Sequence, residues 1–576
     1  MPVSTLPTEQ RIEQVKAYHR QTKHQFFRFA KSLGYMDWAN QPDPFRRFAE
    51  APATPLPILR LQDEPVSPTY GAIYSPGHVA AQPLTVRTLS RFFEYALGLT
   101  AWKQAGETRW ALRSNPSSGN LHPTEGYVLL PSVEGVADGP GLYHYAPKDH
   151  VLERRATWPG DMLDRMLASF PPQAFLFGLT SVHWREAWKY GERAYRYCQH
   201  DAGHAIGTAR VAAATLGWRM VLLESLSDDQ LAQVFGADRT ADFDGAEPEH
   251  PDCLAVVWPA RTVSSRSAAP PTIPLSLDLP ADRSAIVWKG NANRLSPQHV
   301  VEWDTIDHVA ESCWKHERVP LDGEPVPSPS DGLHAIETVY PGNPSAGAMI
   351  HRRRSAVALD GITSITANQF FGMLARVMPR STQPLLSRPM PWDVFPWPPS
   401  VHLALFVHRI DGLPPGLYML VRDPVKIERL KALTHAQFDW TRPRDCPVDL
   451  PLYLLQAGDC RRAAAQLSCG QDIAADGAFS LGMLAEFRHA LHRHGPWFYR
   501  RLFWETGLIG QILYLEAEAI GVRATGIGCF FDDPVHHLLG LADDEFQSLY
   551  HFTVGGPVED TRLTTLPPYG EPRGSQ

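Results

Sequence analysis

The sequence predicts a mixed helix-and-strand protein that contains one structural unit twice. Three observations support this. Residues 174–236 lie on 478–540 without a gap when shifted by 304 positions. Each copy holds one long stretch, 194–216 and 498–520, that is apolar on more than one helical face, as a helix inside a core or an interface must be. Around each stretch lie short runs rich in Val, Leu and aromatic residues, the composition of buried strands.

The repeat keeps its punctuation in register. Ala174-Phe175 falls on Ala478-Phe479, Gly178 on Gly482, Tyr195-Arg196 on Tyr499-Arg500, and Gly203 on Gly507. Leu216-Gly217 falls on Ile520-Gly521, Arg219 on Arg523, Asp228-Asp229 on Asp532-Asp533, and Gly236 on Gly540. At a different shift, Gly141-Leu142-Tyr143 answers Gly416-Leu417-Tyr418. Chance recurrence of one helix would not hold all these positions together, so the pattern reads as a duplication.

In chain order, residues 88–98 space their apolar side chains as a helix and 124–130 read as a strand. The helix 194–216 ends at a glycine stop, and 253–258 is a short apolar strand. The second copy repeats the series with a helix at 367–376, a strand at 401–407, the helix 498–520 and a strand at 549–554. Between the copies, 262–340 is rich in Pro and Ser and is expected to be a linker with one helix near 300–313. An arm, 1–80, precedes the first copy.

Composition narrows the function. Of 576 residues, 44% are hydrophobic and 20% charged, so a large buried core is expected. The net charge of −8 argues against nucleic acid or an anionic membrane as partner, since both select a basic face. Residues 1–16 are polar without a signal-type apolar core, and no run of 18 apolar residues offers a membrane span. The seven cysteines are scattered without a CxxC pair, so neither a disulfide framework nor a structural zinc site is expected, and a cytoplasmic location fits.

Four segments carry chemistry. Asn115-Pro116-Ser117-Ser118-Gly119-Asn120 gathers hydroxyls, an amide and a glycine, which serve either a polar ligand or a surface turn. His351-Arg352-Arg353-Arg354-Ser355 offers forked guanidinium donors for a phosphate, or is a solvated basic turn. Arg523-Ala524-Thr525-Gly526-Ile527-Gly528 lets a backbone approach a flat ligand, or is an ordinary helix-to-strand turn. Trp188-Lys189-Tyr190-Gly191-Glu192-Arg193 places two acid/base side chains together, or is an exposed helix start. His200 and His204 lie one helical turn apart with no third ligand or glutamate beside them, so no metal site is expected.

Together these motifs resemble the nitroreductase family, and more closely its SagB-type dehydrogenase branch, which includes the azoline oxidases of peptide natural products. In the first copy the resemblance runs from about 84 to 260, through Pro116-Ser117-Ser118-Gly119-Asn120, Gly141-Leu142-Tyr143-His144-Tyr145 and Lys189-Tyr190-Gly191-Glu192-Arg193. The arm resembles that branch at Tyr18-His19-Arg20-Gln21-Thr22-Lys23-His24 and Asp37-Trp38-Ala39-Asn40-Gln41-Pro42. The second copy resembles a plainer member, with Arg353-Arg354-Ser355 early, then Phe530-Phe531-Asp532-Asp533, Val554-Gly555-Gly556-Pro557 and Arg562 late.

The resemblance implies an α+β fold made of two tandem nitroreductase-like, FMN-dependent domains, 81–261 and 341–576, that form an internal pseudo-dimer. Family members work as dimers with FMN at the interface. One subunit supplies the Arg-Arg-Ser, the glycine loop and a late basic residue, and the other supplies the Pro-Ser-Ser loop. Carried over, FMN would be held by Arg353, Arg354, Ser355, Thr525, Gly526, Ile527, Gly528 and Arg562 of the second copy, with Ser117, Ser118 and Asn120 of the first. Val357 departs from the family's usual arginine, which shifts phosphate contacts to Arg352 or Arg562. The mate site has lost its parts: 390–395 replaces the serine loop, 74–77 lacks arginine, Met220-Val221-Leu222-Leu223 replaces the glycine loop, and Val257-Trp258 stands for its Gly-Gly. One FMN per chain follows.

In the azoline oxidases a Lys-Tyr pair is associated with proton removal, and Lys189 and Tyr190 match it; Arg493 and His494 do not repeat it. The implied function is an FMN-dependent dehydrogenase that oxidises a peptide-derived or small heterocyclic, azoline-like substrate by hydride transfer to FMN, with biosynthetic proteins as partners. Two alternatives stay open: an NAD(P)H-dependent nitro- or quinone reductase, and a flavin-free scaffold or peptide-binding subunit of a biosynthetic complex.

Overall fold

The two long helices organise the molecule. In the computed structural model, which describes residues 6–136, 139–260, 273–318, 340–380 and 385–570, all 22 residues of each are buried. They pack on each other between two antiparallel sheets, so neither has a solvent face to make polar, and the duplicated apolar pattern follows.

The helices used below are α1 (Thr8–Gln21), α2 (Val86–Ala96), α3 (His183–Tyr190), α4 (Ala194–Thr215), α5 (Asp304–Ser312), α6 (Ala346–Arg352), α7 (Phe487–His494) and α8 (Phe498–Ala519). The strands are β1 (Leu99–Ala105), β2 (Thr108–Arg113), β3 (Thr124–Leu130), β4 (Gly141–Ala146), β5 (Val151–Thr157), β6 (Phe175–Ser181), β7 (Trp218–Leu222) and β8 (His250–Pro259). The second half adds β9 (Val401–Val407), β10 (Gly416–Leu420), β11 (Leu452–Ala457), β12 (Phe479–Glu486), β13 (Arg523–Ile527), β14 (Phe546–Gly555) and β15 (Thr564–Leu566).

The first sheet runs β5-β4-β3-β6-β8-β7 and the second β11-β10-β9-β12-β14-β13, the same order with every neighbour antiparallel. The central strands β3 and β9 are buried at every position because α4 and α8 lie on one face and a satellite apolar cluster covers the other. This explains why they read as unbroken apolar runs and not as alternating ones.

A pair of glycines sets the helix crossing. A Cβ on Gly203 would lie 2.4 Å from the Trp504 carbonyl oxygen, and one on Gly507 would lie 2.3 Å from that of His200. The contacts are reciprocal under the repeat: each glycine sits against the residue three before the other. Any side chain there would force the helices apart, since the obstacle is backbone.

Three segments tie the halves together. In the arm, α1 packs on α5; Tyr18 Oη donates to the Glu192 carbonyl at 2.7 Å, and the His19 ring meets Tyr499 Oη at 3.1 Å. At the far end, β15 pairs with β1 of the first half, and Trp102 donates to the Pro568 carbonyl at 2.9 Å.

The third is the expected linker, which the structure corrects. Residues 273–318 are no spacer. Val287–Trp288 extends the first sheet beyond β5, Asn291–Ala292 pairs with Phe48–Ala49, and α5 lies on α1. Leu277, Ile286, Leu295, Ile306 and Val309 are buried. These apolar side chains are too widely spaced to show a period, so Pro and Ser content dominated the reading. Residues 262–272 and 319–339 of the expected linker, including Ala269-Pro270-Pro271 and 325–329, lie outside the described residues. Among the described residues no helix is long and apolar enough to cross a membrane.

Candidate functional site

A cavity of about 560 Å³ opens between the halves, a volume within the range of cofactor sites. The first half contributes the turn after β2, Asn115 to Asn120, with Tyr190 from the end of α3 and Tyr197, Asp201 and His204 from α4. The second contributes Arg353, Arg354 and Ser355 after α6, Tyr514 of α8, the edge strand β13 and Tyr550 of β14.

The arginine segment is fixed by the sheet edge. Ser355 bridges Ala524 in parallel, and the Ala356 amide donates to the Ala524 carbonyl at 3.0 Å. Tyr514 locks the corner: its Oη lies 2.8 Å from Ser355 Oγ and accepts the Gly526 amide at 2.9 Å. The segment 523–528, expected as a loop, is therefore strand β13 over most of its length, with Gly528 just beyond it. The glycines serve close approach. A Cβ at Gly526 would strike Tyr550 Oη at 2.0 Å, and one at Gly528 would strike Tyr197 at 2.2 Å.

Arg353 is buried and Arg354 half-buried, and the side chains of both bond to neutral groups. Arg353 donates to the Arg113 carbonyl at 2.8 Å and leaves its Nε unbonded. Arg354 donates to Thr100 Oγ1 at 3.2 Å and to the His351 and Arg353 carbonyls. Among the described residues no carboxylate reaches ion-pair distance of either guanidinium. Glu518, the nearest acid, is engaged by Arg352, Arg523 and the Arg354 amide. Burial pulls the Arg353 pKa down, and burial with Arg353 as neighbour brings Arg354 to about 10. Two desolvated cations without a counter-charge are costly, and an anion in the cavity would offset that cost.

Two expected cationic contacts lie elsewhere. Arg562 has 86% of its side chain exposed, is paired to Asp560, and stands off the cavity wall. Arg352 points to Glu518, also off the wall. Lys103 of β1 and Arg523 line the cavity. The β15–β1 pairing carries the chain past the site, so Arg562 emerges on the outside.

On the opposite wall, the serine turn is held from behind. Ser118 donates its amide and its hydroxyl to Asp201 at 3.1 Å, and Ser117 Oγ accepts the His122 amide at 2.8 Å. Asn120 lines the cavity, but its amide donates to the Ala111 carbonyl at 2.9 Å and its oxygen meets the His122 ring at 3.1 Å. Gly119 has φ +60°, and a Cβ there would meet Tyr190 Oη at 2.7 Å and Lys189 Nζ at 3.0 Å. Lys189 and Tyr190 thus converge beneath this turn. Tyr190 reaches the wall, while Lys189 lies behind it with its ammonium 5.3 Å from the Tyr190 ring centroid.

The electrostatics of this wall concern protons. Burial raises the Asp201 carboxyl to about 7, against the hydrogen bonds from Ser117 and Ser118 that favour its charge. Burial and then Asp201 push Glu186 well up, and neither Glu186 oxygen has a partner. Burial and then Glu186 push up the Tyr190 phenol. Near neutral pH, Glu186 and Tyr190 keep their protons and Asp201 exchanges one.

Residues 78–245 match the family model described as the nitroreductase family. A nitroreductase-like protein of Methanocaldococcus jannaschii is 26% identical over 160 residues, which are 27% of this chain and 75% of its own. The crystal structure of a nitroreductase-like protein from Anabaena variabilis superposes with a TM-score of 0.66 at 22% identity, covering 95% of this chain and 99% of its own. At that identity the likeness concerns the fold, and it spans both halves.

The place related to the cavity by the repeat is filled by the chain itself. Between the first half and the second, Asp393 in the counterpart of the serine turn accepts from Arg210 at 2.9 and 2.8 Å. Tyr70, Tyr74 and Tyr340 gather on Glu516, and Arg376 stacks 4.0 Å from the Tyr74 ring centroid. Asp393→Ala should cost roughly 3–5 kcal/mol by stranding buried Arg210, while the cavity's ligand binding stays unchanged. Denaturant midpoints and ligand titration check this; a weakened ligand would mean the two places are coupled.

Sequence reasoning missed Asp201, Tyr514, Tyr550 and Lys103. For Asp201 a signal existed. Its repeat partner Glu505 likewise accepts a backbone amide, from Ser400 at 2.9 Å, but it is also bonded to Arg422. An acid retained at one repeat position, with its cation lost in the other copy, marks a group freed for another task.

Proposed function

We propose that the chain is an FMN-dependent oxidoreductase in which two nitroreductase-like domains form an internal pseudo-dimer around one flavin. The uncompensated Arg353–Arg354 pair at the wall of a cavity shared by both halves carries this reading. The residues present fit the cofactor. The guanidiniums, with Ser355, Lys103 and Arg523, suit its phosphate. The backbone of Thr525, Gly526, Ile527 and Gly528 suits a flat ring, because the glycines leave no Cβ in the way, and Ser117, Ser118 and Asn120 frame the opposite side. Bound FMN supplies a two-electron hydride acceptor.

The chain's own residues handle the proton. Tyr190 at the wall, with Lys189 behind it, relays the proton that leaves a substrate as its hydride is removed, the phenol passing its own proton on as it takes the new one. Asp201, close to half-titrated at neutral pH, lets that proton pass onward. This acid/base set supports oxidation of a C–H bond beside nitrogen in a peptide-derived or small azoline-like ring.

The expected flavin content is one FMN per chain, because Trp392, Asp393 and the tyrosine cluster occupy the related place. Flavin released by heat and quantified against protein checks this, and a reproducible value of two would defeat the single-site reading. Reduction of the bound flavin by azoline-bearing peptides, compared with NADH and NADPH, tests the direction of the chemistry. Reduction by the nicotinamides alone would turn the assignment to a nitro- or quinone reductase.

A further inference from the structure

Cys469 and Cys529 are 60 positions apart, yet their sulfurs lie 2.7 Å from each other. Both are thiols, half-buried, and Cys529 is on the cavity wall. Gln471 ties the two turns together, donating to the Ser468 carbonyl at 2.8 Å and the Cys529 carbonyl at 3.1 Å. The His24 ring from the arm is among the groups that lower the Cys529 thiol. Its Nδ1 accepts the Ala30 amide at 3.0 Å, which fixes the proton on Nε2. Arg193 donates to the neighbouring Gly528 carbonyl at 3.1 Å.

The groups that act on Cys529 are Cys469, His24, Arg193, Tyr190 and Tyr197, and Asp532 acts on Cys469. Asp532 is neutralised by Arg193 and Arg196, so the net surroundings are cationic. The Cys469 hydrogen bond, followed by His24 and Arg193, holds the Cys529 thiol down at about 5, while Cys469 is raised. Burial raises the thiols of Cys198, Cys253, Cys313, Cys446 and Cys460. The contact between the two sulfurs therefore favours the thiolate of Cys529, with a second thiol beside it.

We propose that Cys529 and Cys469 form a redox-active dithiol at the cavity wall that exchanges with small disulfides of the glutathione class. The Cys529 thiolate attacks one sulfur of the disulfide, forming a mixed disulfide and expelling one thiolate. Cys469 then loses its proton to solvent and attacks the Cys529 sulfur, forming the Cys469–Cys529 bond and expelling the second thiolate. Two protein thiols are oxidised and one external disulfide is reduced to two thiols. The inference does not depend on flavin.

Alkylation and oxidation of the full chain test it. With iodoacetamide at pH 6, Cys529 should react at least roughly tenfold faster than Cys446 or Cys460, and its rate should change less than about twofold up to pH 8. The other two should gain about tenfold per pH unit. Oxidised glutathione should close the Cys469–Cys529 disulfide, mapped by peptide mass, in the unaltered protein. C469S should instead accumulate a glutathione adduct on Cys529, and C529S should form none on Cys469. Slow alkylation of Cys529, or no disulfide and no adduct, would overturn the proposal. Repeating the oxidation with and without added FMN separates the two readings. Slower closure with FMN supports a shared wall, whereas equal rates would count against the flavin assignment and leave the dithiol standing.

Discussion

Lys189→Ala protein is expected to bind FMN as the unaltered chain does and to lose roughly 10²–10⁴-fold in flavin reduction by its substrate, the range for a positioned proton-transfer group. Lys189 and Tyr190 converge on the turn at Gly119, whereas the guanidiniums that suit the phosphate stand on the second half. Removing the ammonium therefore spares the anion contacts. Tyr190→Phe keeps the ring against Tyr197 and removes only the hydroxyl, so a partial loss is expected. Reduction by NADH or NADPH, if it occurs, needs no base and should survive both changes. Stopped-flow bleaching of the flavin band measures all four cases. An undiminished rate in Lys189→Ala with the true substrate would make the pair structural.

Arg353→Ala with Arg354→Ala should weaken FMN binding by about 10²–10⁴-fold, since each charge-assisted bond to phosphate contributes roughly 1.5–3 kcal/mol. The sign on the flavin-free protein is the opposite of the usual one. Arg353 is buried and Arg354 half-buried, neither with a carboxylate, and their desolvation opposes folding until an anion arrives. The double variant should thus melt no lower than the parent without flavin, and should lose the rise in Tm that FMN gives the parent. Thermal melts across an FMN titration separate the two effects. A variant that melts far lower without FMN while keeping its affinity would assign the arginines to folding alone.

The parts of this molecule legible in the sequence are those where a period or a register survives. The helices at 194–216 and 498–520 are observed as Ala194–Thr215 and Phe498–Ala519, and the shift of 304 holds between their first and last residues. Their burial tolerates no insertion, which keeps the register. The arginine segment, the serine turn and Tyr190 meet at one cavity because they lie on short segments next to those helices. What failed to show depends on distant pairing. The β15–β1 contact, which decides that Lys103 and not Arg562 faces the cavity, joins residues over 450 positions apart and leaves no local mark. The Cys469–Cys529 proximity has no spacing motif. Asn120, read as a ligand donor, spends its amide on Ala111 of β2 and its oxygen on the His122 ring.

The reciprocal crossing at Gly203 and Gly507 places two equivalent faces in one polypeptide, each written by its own stretch of sequence. In an assembly of identical chains any substitution strikes both faces, so a change that ruins one ruins the other. Here Ser118 and Asp393 can differ at little cost to each other. One face keeps open space and unneutralised charge, which weakens the fold, and the other is packed with aromatic rings and a closed ion pair, which strengthens it. Open space and dense packing have been sorted onto opposite sides of the same helix crossing.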